Sequence, residues 1–277
     1  MNYKSLKLEI SDKIALLTLS HPKKYNSMTP GFWQDMVNVF QDIDQSNARV
    51  VILNAEGKHF TSGLDLKEFA SLGLLEGKDI GRKAENIRKI IINLQQSFNL
   101  IANSRVPVIA AIHGACVGGG VDLISACDMR FATSESFFSI YEIKIGMAAD
   151  VGTLQRLPKL IPLGLMKELA YTGRKMFAEE ALSSGLLNAI YKDKNDLIDS
   201  VYKVAESIAS NSPIAVSGTK QIIKYSLDHS IEDSLEYVAL WNSAMLQSSD
   251  FIEAIKAQIE KRDAIFDDIG PTPKISK

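Results

Sequence analysis

Three short apolar runs constrain the fold of this chain most: "IALLTLSHP" at 14–22, "RVVILNAEG" at 49–57 and "VPVIAAIHG" at 106–114. Each is short and closed by turn residues, the pattern of strands in a sheet covered on both faces. Between the first two, Thr29-Pro30 opens a helix that carries Phe32, Met36, Phe40 and Ile43 on one face. A longer amphipathic helix, with Ile87, Ile91, Leu94, Phe98 and Ile101 at helical spacing, precedes the third run. "MRFAT" and "FFSI" are further strand segments. Strand and helix alternate, so the fold class is α/β with a mostly parallel sheet.

From about residue 197 the pattern changes to successive helices, "LIDSVYKVAESIASN", "PIAVSGTKQIIKYSLD" and "IEDSLEYVALWNSAMLQS". The expected organisation is a core over 1–200, a helical C-terminal region over 201–265 and a disordered tail over 266–277 ending "GPTPKISK". A length of 277 residues suffices for a large core. A formal net charge of -2 gives no electrostatic reason to expect nucleic acid or an anionic membrane as partner. No apolar run is long enough to span a bilayer. Cys116 and Cys127 lie in apolar surroundings and read as small core residues, and the four histidines scatter without ligand spacing, so no metal is expected. The opening "MNYKSLKLEISDK" lacks a signal-peptide core, and Ile275-Ser276-Lys277 is not a peroxisomal tripeptide, which makes cytoplasmic the expected localisation.

The stretch "CVGGGVDLISACDMR" at 116–130 carries three consecutive glycines, Gly118, Gly119 and Gly120, and then an acid, Asp122. Neither the Gly-x-Gly-x-x-Gly dinucleotide spacing nor a phosphate-loop Gly-Lys-Ser/Thr is present. Glycines at a helix start bare their N–H groups to a ligand, and the helix terminus adds partial positive charge, a combination that holds an oxygen acquiring negative charge. A tight strand-to-helix turn is the competing reading. A second small-residue turn, "GKHFTSGLDL" at 57–66, holds Ser62, Gly63 and Asp65 just past another buried strand. In a parallel sheet two such turns share the carboxyl edge, so each can lend one N–H to the same oxygen.

Two further acids lie in the apolar stretch "FFSIYEIKIGMAADVGTLQRLPK": Glu142, and Asp150 eight residues later. Helix capping competes with a chemical role for Asp150 and Asp122, less so for Glu142, which has no adjacent helix start. Asp65 is expected to cap the helix behind it, and Asp128 to pair with Arg130.

"HFTSGLDL", "AAIHGACVGGGVDLISACDMRFAT", "FFSIYEIKIGMAADVGTLQRLPKLI" and "YTGRKMFAEEALSSGLLNAI" resemble, in order and spacing, the enoyl-CoA hydratase/isomerase (crotonase) superfamily, over roughly residues 5–265. The resemblance implies a spiral of ββα turns followed by a helical region that builds homotrimers, often paired into homohexamers. It implies acyl-CoA thioesters as substrates and no cofactor, coenzyme A being part of the substrate. Carried over by motif, the backbone donors to the thioester oxygen are Ser62 and Gly119, with Lys24, Gly63, Asp65, Gly118 and Gly120 contacting substrate or CoA. A solvated surface lysine competes with that role for Lys24.

Hydratases of the family carry glutamates at the positions of both Asp122 and Glu142, and Pro-Gly where this chain has Ala149-Asp150. Both departures match the branch of Δ3,5-Δ2,4-dienoyl-CoA isomerases, whose pocket holds three acids. That likeness implies Glu142 as base at C2, Asp150 as acid at C6 and Asp122 as the group that orients Glu142, with swapped roles of base and acid left open. The alternatives are hydration, Δ3,Δ2-enoyl-CoA isomerisation, or a non-catalytic or RNA-binding relative.

Overall fold

The apolar runs form strands because consecutive side chains find a separate buried layer on either side. The computed structural model describes residues 3–71 and 79–273. The chain begins with a hairpin, β1 (Leu6–Ser11) and β2 (Ile14–Leu19), whose turn residues Asp12 and Lys13 have φ of 47° and 67°. Two left-handed residues in a two-residue connection match the twist of the flanking strands. Then come α1 (Pro30–Asp44), capped by the Thr29 hydroxyl at 3.3 Å from the Phe32 N–H, and β3 (Val50–Ala55). Next follow α2 (Leu66–Ala70), α3 (Ile80–Asn103), β4 (Val108–Ile112), β5 (Ala115–Val117), α4 (Gly119–Ser125), β6 (Met129–Thr133) and β7 (Phe137–Ser139). Past a 3₁₀ segment at Tyr141–Ile145 lie α5 (Thr153–Arg156), α6 (Leu163–Thr172), β8 (Met176–Phe177), α7 (Ala178–Ser183) and β9 (Ala189–Tyr191). The helices α8 (Lys194–Ala209), α9 (Pro213–Ser226), α10 (Ile231–Met245) and α11 (Ser249–Glu260) complete the elements.

The main sheet has the order β1-β2-β3-β4-β6-β9, antiparallel only between β1 and β2. A smaller sheet, β5-β7-β8, is parallel between β5 and β7. Leu17, Val51, Leu53, Val108, Ala110 and Ala132 face one buried layer, shared with Phe32, Met36 and Phe40 of α1 and Phe98 and Ile101 of α3. Their neighbours Ile14, Val50, Ile52, Ile109, Ala111 and Phe131 face the other, covered by Leu197, Val201, Ala205 and Ala209 of α8. Period-two alternation between two apolar layers reads as a continuous apolar run.

The boundary expected near residue 200 falls inside α8, the helix that covers the sheet's second face. Beyond it, α9–α11 leave Ile223, Leu227, Leu235, Leu240, Ile252 and Ile259 more than half exposed. The tail expected to be disordered from 266 is instead tied to the core through residue 272. Arg49 donates to the Phe266 carbonyl at 2.6 Å and to Asp268 at 2.9 Å, Arg105 to the Gly270 carbonyl at 3.0 Å, and Gln45 to the Thr272 carbonyl at 3.2 Å. Residues 274–277 of that expectation lie outside the described residues. Among the described residues no helix is long and apolar enough to cross a membrane.

Candidate active site

The segment that leaves β3 runs extended between two neighbours, and their hydrogen bonds decide which of its amides are free. On one side the Thr61 N–H donates to the Ala115 carbonyl at 3.0 Å, and the Val117 N–H to the Thr61 carbonyl at 3.2 Å. On the other, the Ser62 N–H donates to the Tyr25 carbonyl at 2.9 Å, Met28 N–H to the Gly63 carbonyl at 2.8 Å, and Asp65 N–H to the Met28 carbonyl at 3.1 Å. The Gly63 N–H is taken by the Thr61 hydroxyl at 3.1 Å. Ser62 is therefore not the donor expected from the motif: its amide is spent on Tyr25 and its side chain is exposed. The amide left over is that of Leu64, which the two bonds to Met28 turn away from that neighbour. No sequence signal marks it, because the carbonyls that consume the Ser62 and Asp65 amides, those of Tyr25 and Met28, each lie 37 residues back along the chain.

Across from this segment, Gly118 caps α4 at φ 55° and its N–H goes to the Ser139 carbonyl at 2.9 Å. Gly119 follows in the first helical turn, where N–H groups have no carbonyl behind them. The two turns touch: a Cβ on Gly63 would lie 3.4 Å from the Gly119 nitrogen. Among the described residues neither the Leu64 nor the Gly119 N–H has an acceptor. Gly120 is a packing requirement, since a Cβ there would lie 2.5 Å from Thr61 Cγ2.

The same glycines admit a carboxyl. A Cβ on Gly118 would stand at ordinary contact distance, 3.4 Å, from Glu142 Oε1, so the acid lies directly against the turn, and it is the φ of 55° that favours glycine there. Asp122, fully buried, accepts the Thr153 N–H on Oδ1 at 2.6 Å. It thus terminates α5, a helix 31 residues away, as well as sitting in the first turn of α4. Asp122 Oδ2, Glu142 Oε2 and Thr153 Oγ1 are buried and find no hydrogen-bond partner among the described residues. Burial first, then the neighbouring Asp122, pushes the Glu142 carboxyl up to about 7; burial likewise lifts Asp122 to about 6. Two acids that desolvate and repel each other do not ionise together near neutral pH.

Asp150 lies on the loop before α5, half-buried, and burial raises its carboxyl above the ordinary range. The helix cap is Gly152, with no side-chain bond, so Asp150 is not the cap. Asp150 lies near enough to the Asp122–Glu142 pair for its charge to help raise both of their carboxyls, although among the described residues no three His, Cys, Asp or Glu side chains form a group that could hold a metal ion. Its loop is gripped from α3, where Gln95 donates to the Asp150 carbonyl at 2.7 Å.

Asp65 caps α2 by accepting the Glu68 N–H at 3.0 Å and also accepts the Ser27 hydroxyl at 3.1 Å. Lys24 pairs with Glu68 at 2.5 Å and Asp65 at 3.5 Å, so a CoA phosphate has to share it with two acids. The Asp128–Arg130 pair does not form. Asp128 holds Lys220 at 2.8 Å, and Arg130 donates to the carbonyls of Leu186 and Cys127 at 2.8 and 2.7 Å.

The family model described as Enoyl-CoA hydratase/isomerase matches residues 9–269. A rat protein named Delta(3,5)-Delta(2,4)-dienoyl-CoA isomerase, mitochondrial, is 46% identical over 95% of this chain and 82% of its own length. An Arabidopsis thaliana protein with the same name, peroxisomal, is 41% identical over 96% of this chain and 98% of its own. The crystal structure of an enoyl-CoA hydratase from Bacillus anthracis superposes with a TM-score of 0.86 at 30% identity, over 95% of this chain and 99% of that one. The mitochondrial and peroxisomal names overturn the cytoplasmic expectation, which rested only on the want of a recognisable address.

Proposed function

This chain belongs to the enoyl-CoA hydratase/isomerase family, and from that premise we infer that it is a Δ3,5-Δ2,4-dienoyl-CoA isomerase acting on acyl-CoA thioesters. The observation that carries the choice within the family is the third acid. Asp150 is half-buried, caps no helix, and lies near enough to Asp122 and Glu142 for its charge to raise both of their carboxyls.

The reaction converts C3=C4–C5=C6 to C2=C3–C4=C5 by removing a proton at C2 and adding one at C6. The electron pair from the C2–H bond first moves onto the thioester oxygen, and the free N–H groups of Leu64 and Gly119 receive that charge. Glu142 takes the C2 proton. A base near pKa 7 is well matched to an acidified carbon at neutral pH. Asp122, held by Thr153, orients Glu142 and opposes its ionisation. Asp150 supplies a proton to C6 as the dienolate collapses. C2 and C6 lie four bonds apart, which is why one fixed carboxyl does not serve both ends. The net change is a proton transfer, so the chemistry calls for no redox group or metal.

The exposed apolar side chains of α9–α11 support assembly into a homotrimer or homohexamer. Light scattering after size exclusion reads the copy number, and a monomer at micromolar concentration rejects it. The activity is tested by the absorbance change on adding 3,5-octadienoyl-CoA and, separately, a simple 2-enoyl-CoA. Turnover of the dienoyl substrate with little hydration of the other is expected; the reverse result assigns the protein to the hydratases.

A further inference from the structure

The backbone that carries Asp150 belongs to no helix or strand between Met147 and Gly152, yet its peptide units are held one after another by side chains. The Gln95 amide donates to the Asp150 carbonyl at 2.7 Å. One helical turn further along α3, Asn99 accepts from Arg156 Nη2 at 2.6 Å, and Arg156 Nη1 reaches the Val151 carbonyl at 3.4 Å. Gly152, at φ 135°, gives the guanidinium its room: a Cβ there would lie 1.8 Å from Arg156 Nη1. The Thr153 N–H is fixed on Asp122. Gln95 and Asn99 are polar residues at i and i+4, so they share a face of a helix that otherwise packs with Leu94, Phe98 and Ile101. These restraints act on the backbone that bears the carboxyl.

We propose that Gln95 is a positioning residue for the isomerisation: by holding the Asp150 carbonyl it fixes where that carboxyl meets the far end of the conjugated tail, and Asn99 with Arg156 locks the turn that follows. The assignment rests on reading Asp150 as the proton donor at C6. Displacement of a reacting group by a fraction of its own size costs rate steeply while leaving ground-state binding nearly intact. Gln95→Met keeps the length of the side chain and loses the donor.

With 3,5-octadienoyl-CoA as substrate, Gln95→Met is expected to lower kcat about tenfold and to change KM less than about twofold. Exchange of the C2 hydrogens with D2O, followed by NMR, is expected to stay at the wild-type rate, which also certifies the fold. In an Asp150→Asn background, adding Gln95→Met is expected to remove nothing more from the residual rate. A tenfold loss in both backgrounds overturns the proposal, as does a rise in KM with kcat intact, or C2 exchange that falls with turnover. Asp150→Asn that retains near wild-type turnover overturns the reading of Asp150 itself, a result separable from all of these.

Discussion

The start of α4 and the loop at 147–152 both present acids to the site, but they are held there by different forces. Around α4 packing dominates: Asp122 is fully buried and accepts the Thr153 N–H, Gly120 is pressed against Thr61, and Glu142 lies directly against Gly118. The loop has little packing beyond Ala149 and Val151, and its shape depends on individual hydrogen bonds from α3 and Arg156. Packing fixes groups that must stay close under mutual repulsion, while hydrogen-bonded tethers fix one group at a chosen distance from them.

The largest effects should separate the two acids. Glu142→Gln and Asp150→Asn are each expected to lower dienoyl-CoA turnover about a thousandfold. Only Glu142→Gln should also stop exchange of the C2 hydrogens. Loss of exchange in both variants would erase the distinction between the packed and the tethered acid. Next, Gly120→Ala should lower stability by about 2 kcal/mol through overpacking against Thr61 Cγ2, read as a fall in the thermal midpoint. An unchanged midpoint would mean the α4 start is less tightly packed than its geometry requires.

A smaller effect follows from burial. Glu142 holds its proton more tightly in the folded chain, at about 7, than at its ordinary 4.5. Between those values the native state binds the extra proton, so the stability it contributes is complete below 4.5 and is lost as pH rises through 7. Glu142→Gln should therefore be more stable than wild type at pH 8, by about 3 kcal/mol, with the difference vanishing near pH 4. A constant difference across that range would break the argument. The smallest expected effect is at Ser62. With its amide on Tyr25 and its side chain exposed, Ser62→Ala should keep kcat/KM within about twofold of wild type. A hundredfold loss would show that the Ser62 hydroxyl, which is exposed, acts in the site.

The strands at 14–19, 50–55 and 108–112 are legible because both of their faces are covered, which leaves only Thr18 and Asn54 as polar residues among otherwise apolar runs. β1, β8 and β9 are not. β1 alternates exposed residues along an edge, and the other two are too short to carry a period. The acids and glycines stood out because such residues need a reason in apolar surroundings. Leu64 did not, since a free amide has no residue type and is defined only by what its neighbours' amides have found. Asp128 was misassigned for a related cause: adjacency in sequence favoured Arg130, but the cation that reaches it, Lys220, comes from α9. Contacts between distant segments are the part of the site that local pattern does not encode.

The lacing of the C-terminal segment onto Arg49 has a consequence for biosynthesis. Arg49 is a buried cation at the entrance to β3, and its acidic partner Asp268 is 219 residues downstream. A nascent chain can pair β2 with β3 early, but it carries an uncompensated guanidinium until the segment at 266–268 has been made. The segment bonded through Phe266, Asp268, Gly270 and Thr272 thus acts as a closing stitch, and a chain cut before Asp268 would keep that charge without its acid.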